Sequence, residues 1–460
     1  MPTPGPQVVA LNSEADEIFF GGAAGGGKTS LVLGAAMTMH RRSIIFRKEF
    51  PQFKEIQEQL TKTLEPIGGL KLYNGQSHIW TMLQDRTIEI ASVSTPRAKE
   101  KYKGRPHDLK AFDELPDFTR ETYRFLIAWN RTTIPGQRCR VLSAGNPPTT
   151  PEGEWVVQYW GPWLDTQHPA PAASGEVRYF AMIDNVDTEV ENGQIFTYKN
   201  NLVYPKSRTF ILSLVEDNPY LGADYYARLD NLDEPMRSLL RWGKFGSKIE
   251  DHEWQVIPSA WVRAAMERGR KSSGAFGKLS ALGVDVARGG SDKTVIAPRY
   301  GNHFEALIKY PGIKTPDGPT AGAFVLQERE DRADILVDVV GVGASCYDWI
   351  AANIEDDNVQ AINWAEKEIG TDKTGRFRYR NKRAAHWWRF REALDPLSGI
   401  DIELPDDREL YIDLCTPRYS VKMGGILIES KEEIKKRIGR SPDCGDAVVM
   451  AAVERQEYGF

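Results

Sequence analysis

The sequence predicts two α/β domains in tandem, the first carrying a lid subdomain, and three observations lead there. A glycine-rich stretch at residues 22–29 stands between an apolar run and a helical one. Strand and helix signals alternate through the first third of the chain, the rhythm of a parallel sheet. From residue 279 a second α/β pattern begins, and its apolar strands carry acids.

Size and composition allow this and exclude other classes. The chain has 460 residues, 41% hydrophobic and 27% charged. That is enough for two or three domains with real cores, and too mixed for a membrane-embedded or largely disordered chain. Lys and Arg number 59 against 64 Asp and Glu, a net charge of −5. A uniformly basic nucleic-acid coat is excluded; a local basic surface is not. Cys139, Cys346, Cys415 and Cys444 form no C-x-x-C pair, so neither a disulfide framework nor a structural zinc site is expected, and the usage suits a reducing compartment. Residues 1–11 lack a basic-then-apolar leader and no apolar run approaches membrane-spanning length, so no secretory signal and no membrane span are expected.

Each element follows in order. Residues 17–20 read as a short apolar strand, 28–40 as a helix and 43–47 as a second strand, while 51–65 have helical spacing. Residues 78–93 suit a hairpin turning near Asp85-Arg86, and 109–113 and 138–144 are further buried strands. Between 150 and 250 the alternation breaks, which suggests the lid, so the first domain is placed at 1–250. Residues 263–278 are basic and rich in Gly and Ser, and 251–278 are assigned as a linker. The second domain, 279–460, has strands at 280–287, 293–299 and 303–310, a helix near 320–330, a strand at 334–339, and helices at 344–355, 380–395 and 443–455.

Gly22-Ala23-Ala24-Gly25-Gly26-Gly27-Lys28-Thr29 fits G-x-x-x-x-G-K-[ST] without a mismatch, between a strand and a helix. Gly22, Gly25 and Gly27 let backbone N–H groups curl around phosphates, and the helix N-terminus favours negative charge. Lys28 would contact the β- and γ-phosphates of ATP and Thr29 would hold Mg²⁺, with Ser30 next in line among nucleotide-binding residues. The required carboxylate comes from Asp113-Glu114 at the end of 109–113: Asp113 for the Mg²⁺ shell, Glu114 to orient or deprotonate the attacking water. Asn146 ends strand 138–144, where a polar group would face the γ-phosphate crevice. Arg131, Arg47 and Arg105 are the arginines that could stabilise transition-state charge, with Arg131 first because it precedes the 138–144 strand.

In the second domain Asp285 sits within an apolar strand, where an unpaired carboxylate is costly and calls for a partner or a metal. The glycine-rich residues 289–292 turn the chain into the next strand. Asp338 repeats the pattern after a helix, and Asp443 and Asp446, three apart, share one face of the last helix. This order of acids resembles the ribonuclease H-like nuclease fold, in which clustered carboxylates hold two divalent ions, Mg²⁺ or Mn²⁺, for phosphodiester cleavage. Residues 376–391 hold seven Lys or Arg, no acid and five aromatics, which suits phosphate contacts with some stacking, or a helix face whose tryptophans pack inward.

A P-loop (RecA/ASCE-like) ATPase domain followed by an RNase H-like nuclease resembles the large terminase subunit of tailed bacteriophages. Gln7 lies where that family often has an adenine-reading glutamine. Residues 22–29 match its Walker A motif and Asp113-Glu114 its Walker B motif. Ser143 to Asn146 followed by Pro147 look like its coupling motif, Asp285, Asp338 and the Asp443/Asp446 pair fall where its nuclease acids fall, and Asn381-Lys382-Arg383-Ala384 and Ser441-Pro442-Asp443 also have a family look. Lys110 and Ala111 depart from the apolar strand usual before Walker B, and the missing double Asp leaves open whether Asp443 or Asp446 is the main ligand. The resemblance implies an ATP-driven packaging motor and endonuclease acting on double-stranded DNA in the host cell cytoplasm, as a pentameric ring on the portal protein, with a small terminase subunit as partner. The alternative is a helicase-like ATPase fused to a repair or recombination nuclease, which should carry a second RecA-like domain.

Overall fold

The computed structural model describes residues 2–67, 73–95, 97–166, 168–184, 186–234, 236–245, 251–272, 276–287, 292–422 and 425–453. The turn at 289–291 and the end of the last helix, 454–455, lie outside them. The chain divides into two compact units, Met1–Ile183 with Asp187–Ile249, and Asp184–Val186 with Glu250–Phe460.

Among the described residues the first unit is built on a ten-stranded sheet. Its centre is six parallel strands in the order Arg86–Ser92, Arg42–Arg47, Leu109–Phe112, Arg140–Gly145, Glu17–Gly22, Lys206–Ser213. Parallel strands are covered on both faces, so they read as continuous apolar runs. Ile18, Phe20, Ile45, Ala111 and Leu142 face a core shared with Leu31, Val32 and Ala36 of the helix Lys28–Thr38. Phe19, Phe46, Phe112 and Val141 face the other, packed with Tyr123, Trp155 and Trp160. Strand Ile79–Met82 runs antiparallel to 86–92, and Gln84 (φ 62°) and Asp85 (φ 56°) make the turn.

Two readings of the sequence are corrected. Residues 150–250 are not only a lid: Lys206–Ser213 is a central strand, pairing Glu17 with Arg208 through Gly22 with Ser213, and Arg178–Ile183 and Val186–Val190 extend the same sheet. Residues 251–278 are not only a linker: they carry the helix Ser259–Lys271, whose Val262, Ala265 and Met266 lie in the core of the second unit with Val256 and Ile257.

The second unit holds a sheet in the order His303–Phe304, Lys293–Tyr300, Ala281–Asp285, Asp334–Asp338, Val359–Ile362, with Ile308–Pro311 also on 293–300. The first strands form an antiparallel meander and 334–338 returns parallel to 281–285, the crossover passing through the helix Gly318–Gln327. The span 303–310 is two short strands rather than one. The final helix Asp443–Ala451 packs directly on strand 281–285: a β-carbon on Gly283 would lie 2.0 Å from Ala447 O. Among the described residues no helix is long and apolar enough to cross a membrane.

Candidate functional sites

The phosphate loop leaves the C-terminal edge of the parallel sheet. Gly22, Gly25 and Gly27 have φ of 138°, 80° and 73°, a region L side chains rarely adopt. Lys28 opens the helix and is buried. Its ammonium donates to Ala23 O; burial lowers its pKa to about 8, opposed by the charges of Glu114 and Asp113. Ser30 is exposed on the first turn. Gln7, on the helix Pro6–Asn12, donates from Nε2 to Gly27 O at 3.0 Å and accepts from Thr3 N at 2.8 Å, which fixes its amide against the loop.

Pairing of Phe112 with Ser143 and of Gly21 with Gly145 brings Asp113 and Asn146 to the same sheet edge as the loop. The Thr29 hydroxyl donates to Asp113 Oδ2 at 3.2 Å. Arg47, ending its strand, donates to the same oxygen from Nε at 2.9 Å and Nη2 at 2.5 Å. Glu114 has φ 56° and ψ 57°, a strained conformation for a non-glycine residue. Burial raises its carboxyl pKa, the Asp113 charge adds to that, and Lys28 opposes it. Asn146 Oδ1 is buried with no hydrogen-bond partner. This set fits a nucleotide with its Mg²⁺: a main-chain cradle, a lysine, a hydroxyl beside a carboxylate, and one buried polar atom unmet.

The three arginines separate. Arg47 lies on Asp113. Arg105 forms a two-pronged pair with Glu89 at 2.9 and 2.7 Å. Arg131 is exposed, donating to Gly104 O at 2.8 Å with its guanidinium 5.5 Å from the Trp129 ring; none of its described contacts is to the loop or its acids. Lys110 is fully buried, its Nζ without a hydrogen-bond partner and its pKa lowered to about 8, first by burial.

In the second unit, pairing of Val284 with Val337 sets Asp285 and Asp338 side by side at one sheet edge. Asp446 reaches the same place from the last helix. All three converge on Lys431, the first residue of the helix Lys431–Ile438: its Nζ lies 2.9 Å from Asp285 Oδ2, 2.7 Å from Asp338 Oδ2 and 3.4 Å from Asp446 Oδ2. Burial alone would lower the Lys431 pKa, but the three carboxylates hold it well above the usual value. Asp446 is anchored from behind: its Oδ1 accepts from Arg383 Nη1 at 2.7 Å and Trp387 Nε1 at 3.0 Å. Both donors lie on the helix Lys382–Leu394, which Asn381 caps through Ala384 N. Asp443 is more exposed and accepts from Lys293 N at 3.4 Å. Among the described residues no three His, Cys, Asp or Glu side chains are arranged to hold a metal ion as they stand; Lys431 stands among them instead. Hard carboxylate oxygens gathered around a place already taken by a cation suit a hard divalent ion.

The basic strip splits in two. Trp387, Trp388 and Phe390 pack inward, Lys382 pairs with Glu366 and Arg389 with Glu368. Arg376, Phe377, Arg378 and Arg380 remain exposed on the preceding loop. The residues that sequence reasoning missed are Lys431 and the anchoring role of Arg383. The Ser430–Glu433 capping box marks a helix start at 431, but a lysine there reads as part of a solvated face.

No protein-family model matches the chain, and no curated protein matches it. Among solved structures, the nuclease domain of the large terminase subunit gp2 of bacterial virus Sf6 is similar at 21% identity and a TM-score of 0.36, over 43% of this chain and 97% of that one. A full-length large terminase from a thermophilic bacteriophage, in complex with ATP-gamma-S, is similar at 13% identity and a TM-score of 0.35, over 98% of this chain and 99% of that one. The large terminase nuclease from thermophilic phage G20c with bound cobalt is similar at 14% identity and a TM-score of 0.27, over 38% of this chain and 80% of that one. Likenesses of this size decide nothing about activity; the side chains of this chain must do so.

Proposed function

We propose that the chain is the large subunit of a DNA-packaging terminase: an ATPase that drives double-stranded DNA into a procapsid, joined to a divalent-metal-dependent endonuclease that cuts it. One arrangement supports this most. In a chain whose first unit holds a complete phosphate loop with its acid pair, three carboxylates from strand 281–285, strand 334–338 and helix 443–451 meet within 3.4 Å of one ammonium. The helicase-like alternative needs a second phosphate-loop sheet, whereas the second large sheet among the described residues is the acid-bearing one.

In the ATPase unit the loop N–H groups and Lys28 would clasp the β- and γ-phosphates, and Gln7 would meet the base. Thr29 and Asp113 would hold Mg²⁺, whose bound charge offsets that of the phosphates. Glu114, its pKa raised toward the working pH, would orient the attacking water and accept its proton. Asn146 would report the γ-phosphate. Arg47 stands in the same crevice, and Arg131 is left to act on a neighbouring copy.

In the nuclease unit Asp285, Asp338 and the Asp443/Asp446 pair would hold Mg²⁺ or Mn²⁺, which when bound activates water and stabilises the leaving oxygen of a phosphodiester. Lys431 holds the acids together without metal and would give up part of that place. Arg376, Arg378 and Arg380 would meet the DNA backbone. A homo-oligomeric ring of five copies on the portal protein, a small-subunit partner and a host-cytoplasmic setting complete the proposal.

The test separates the two activities in one chain. Lys28→Ala should cut ATP hydrolysis by at least about 100-fold and leave plasmid nicking with Mn²⁺ intact. Asp285→Ala should do the reverse. Undiminished hydrolysis in the first, or parental nicking in the second, would sink the corresponding half.

A further inference from the structure

The helix Asp443–Ala451 carries two of the four acids, yet it begins on Pro442, which offers no side-chain cap. The first-turn N–H groups of a helix need acceptors, and its own acids are turned elsewhere: Asp446 to Arg383 and Trp387, Asp443 toward Lys293 N. The acceptor comes from another helix. Asp413, fully buried on the helix Arg408–Cys415, takes Cys444 N at 2.9 Å and Gly445 N at 3.3 Å with one carboxylate oxygen, Oδ2.

Three further contacts make this a fixed seat rather than a casual cap. The other Asp413 oxygen pairs with Arg440 at 2.5 Å, two residues before Pro442. A β-carbon on Gly445 would lie 3.0 Å from Asp413 Cβ and 3.1 Å from Trp387, so the two helices touch at a glycine. On its opposite side the same helix rests on Gly283, two residues before Asp285. The height of the helix relative to strand 281–285 is therefore set on both sides, and its first turn is set by Asp413.

We infer that Asp413 is a positioning residue of the nuclease: by holding the N–H groups of Cys444 and Gly445 it sets the first turn of the helix that carries Asp443 and Asp446, and so the place of these two acids beside Asp285 and Asp338. This rests on the nuclease reading above. Asp413 touches no substrate; it acts through the helix.

The experiment uses the full chain with two readouts. One is amide exchange of the segment 441–447 without metal; the other is the Mn²⁺ dissociation constant by calorimetry. Asp413→Ala should speed exchange and weaken Mn²⁺ binding roughly 10- to 100-fold, the usual effect of losing a group that orients a ligand. Asp413→Asn keeps one acceptor oxygen for the two N–H groups but turns its amide N–H toward Arg440, so it should fall between the parent and Asp413→Ala on both readouts. Gly445→Ala, which leaves every acid in place but crowds Asp413, should also weaken Mn²⁺ binding, and it decides the matter if Asp413→Ala fails to fold. Parental Mn²⁺ binding in Asp413→Ala or in Gly445→Ala, or an equal loss in Asp413→Asn and Asp413→Ala, overturns the inference. A parent chain that binds no Mn²⁺ overturns the nuclease reading itself.

Discussion

Each of the two candidate sites sets a basic side chain against carboxylates, and the difference lies in the balance. At the phosphate loop Lys28 and Arg47 stand against Asp113 and Glu114, and the anion holder is the main chain. At the second site Lys431 and Arg383 stand against Asp285, Asp338, Asp443 and Asp446. The first is near parity and built to receive an anion. The second has four acids against two cations, an excess of negative charge that suits a cation. The two cations there are not equivalent, because Lys431 lies among the acids while Arg383 lies behind one of them.

That distinction gives the largest effects. Breaking a buried ion pair from one side leaves an uncompensated charge and costs about 3–5 kcal/mol. Arg383→Ala should lose stability on that scale and Mn²⁺ should not restore it, because Asp446 loses its rear anchor. Lys431→Ala should lose a similar amount without metal and recover most of it with Mn²⁺, since binding to the native state stabilises it by mass action. Thermal denaturation with and without Mn²⁺ checks both. Equal recovery in the two variants would break the comparison.

The same contrast explains what was legible in the sequence. The phosphate loop is eight consecutive residues, so its glycines, lysine and hydroxyl can be read directly. Asp285, Asp338, Asp443 and Asp446 were readable as acids in apolar elements, and the structure brings them to one place. Lys431 was not readable, because its partners lie 146 and 93 residues away and its neighbours, Glu432 to Lys436, are those of a solvated helix. Helix 259–271 was hidden by its Arg, Lys and Gly content. Its buried residues are Ser259, Val262, Ala265 and Met266, and Gly269 is there because a β-carbon would lie 2.1 Å from Leu404 O. Strand 206–213 lies among polar and aromatic residues without clean alternation, and its place in the sheet is set by pairing with 17–22.

A smaller effect concerns protons at the anion site. Lys28 in the folded chain has a pKa of about 8, below its ordinary 10.5. A lysine whose folded pKa is depressed binds fewer protons folded than unfolded between those values, so its contribution to stability rises with pH from about 8 to 10.5. Phosphates would raise that pKa again. ATP binding at pH 8.5 should therefore take up a fraction of a proton, and at pH 7 almost none. Calorimetry in buffers of different ionisation enthalpy measures it. Lys28→Arg, which stays charged throughout, should abolish the uptake, and uptake that persists there would assign it to another group.

The smallest expected effect is at Arg131, and it tests whether the anion site is complete within one chain. Arg131 is exposed and occupied with Gly104 O and Trp129, while Arg47 already lies on Asp113. In the monomeric chain Arg131→Ala should change ATP hydrolysis little, because its described contacts are to Gly104 O and Trp129 rather than to the phosphate loop or its acids. A guanidinium reaching a neighbour's γ-phosphate is worth about 10³ or more in rate. The same substitution should then be severe only where copies assemble into a ring. Hydrolysis measured across the assembly transition reads the difference. A loss of 100-fold in the monomer would place Arg131 at its own site, and an unchanged rate in the assembled state would leave Arg47 as the arginine that matters.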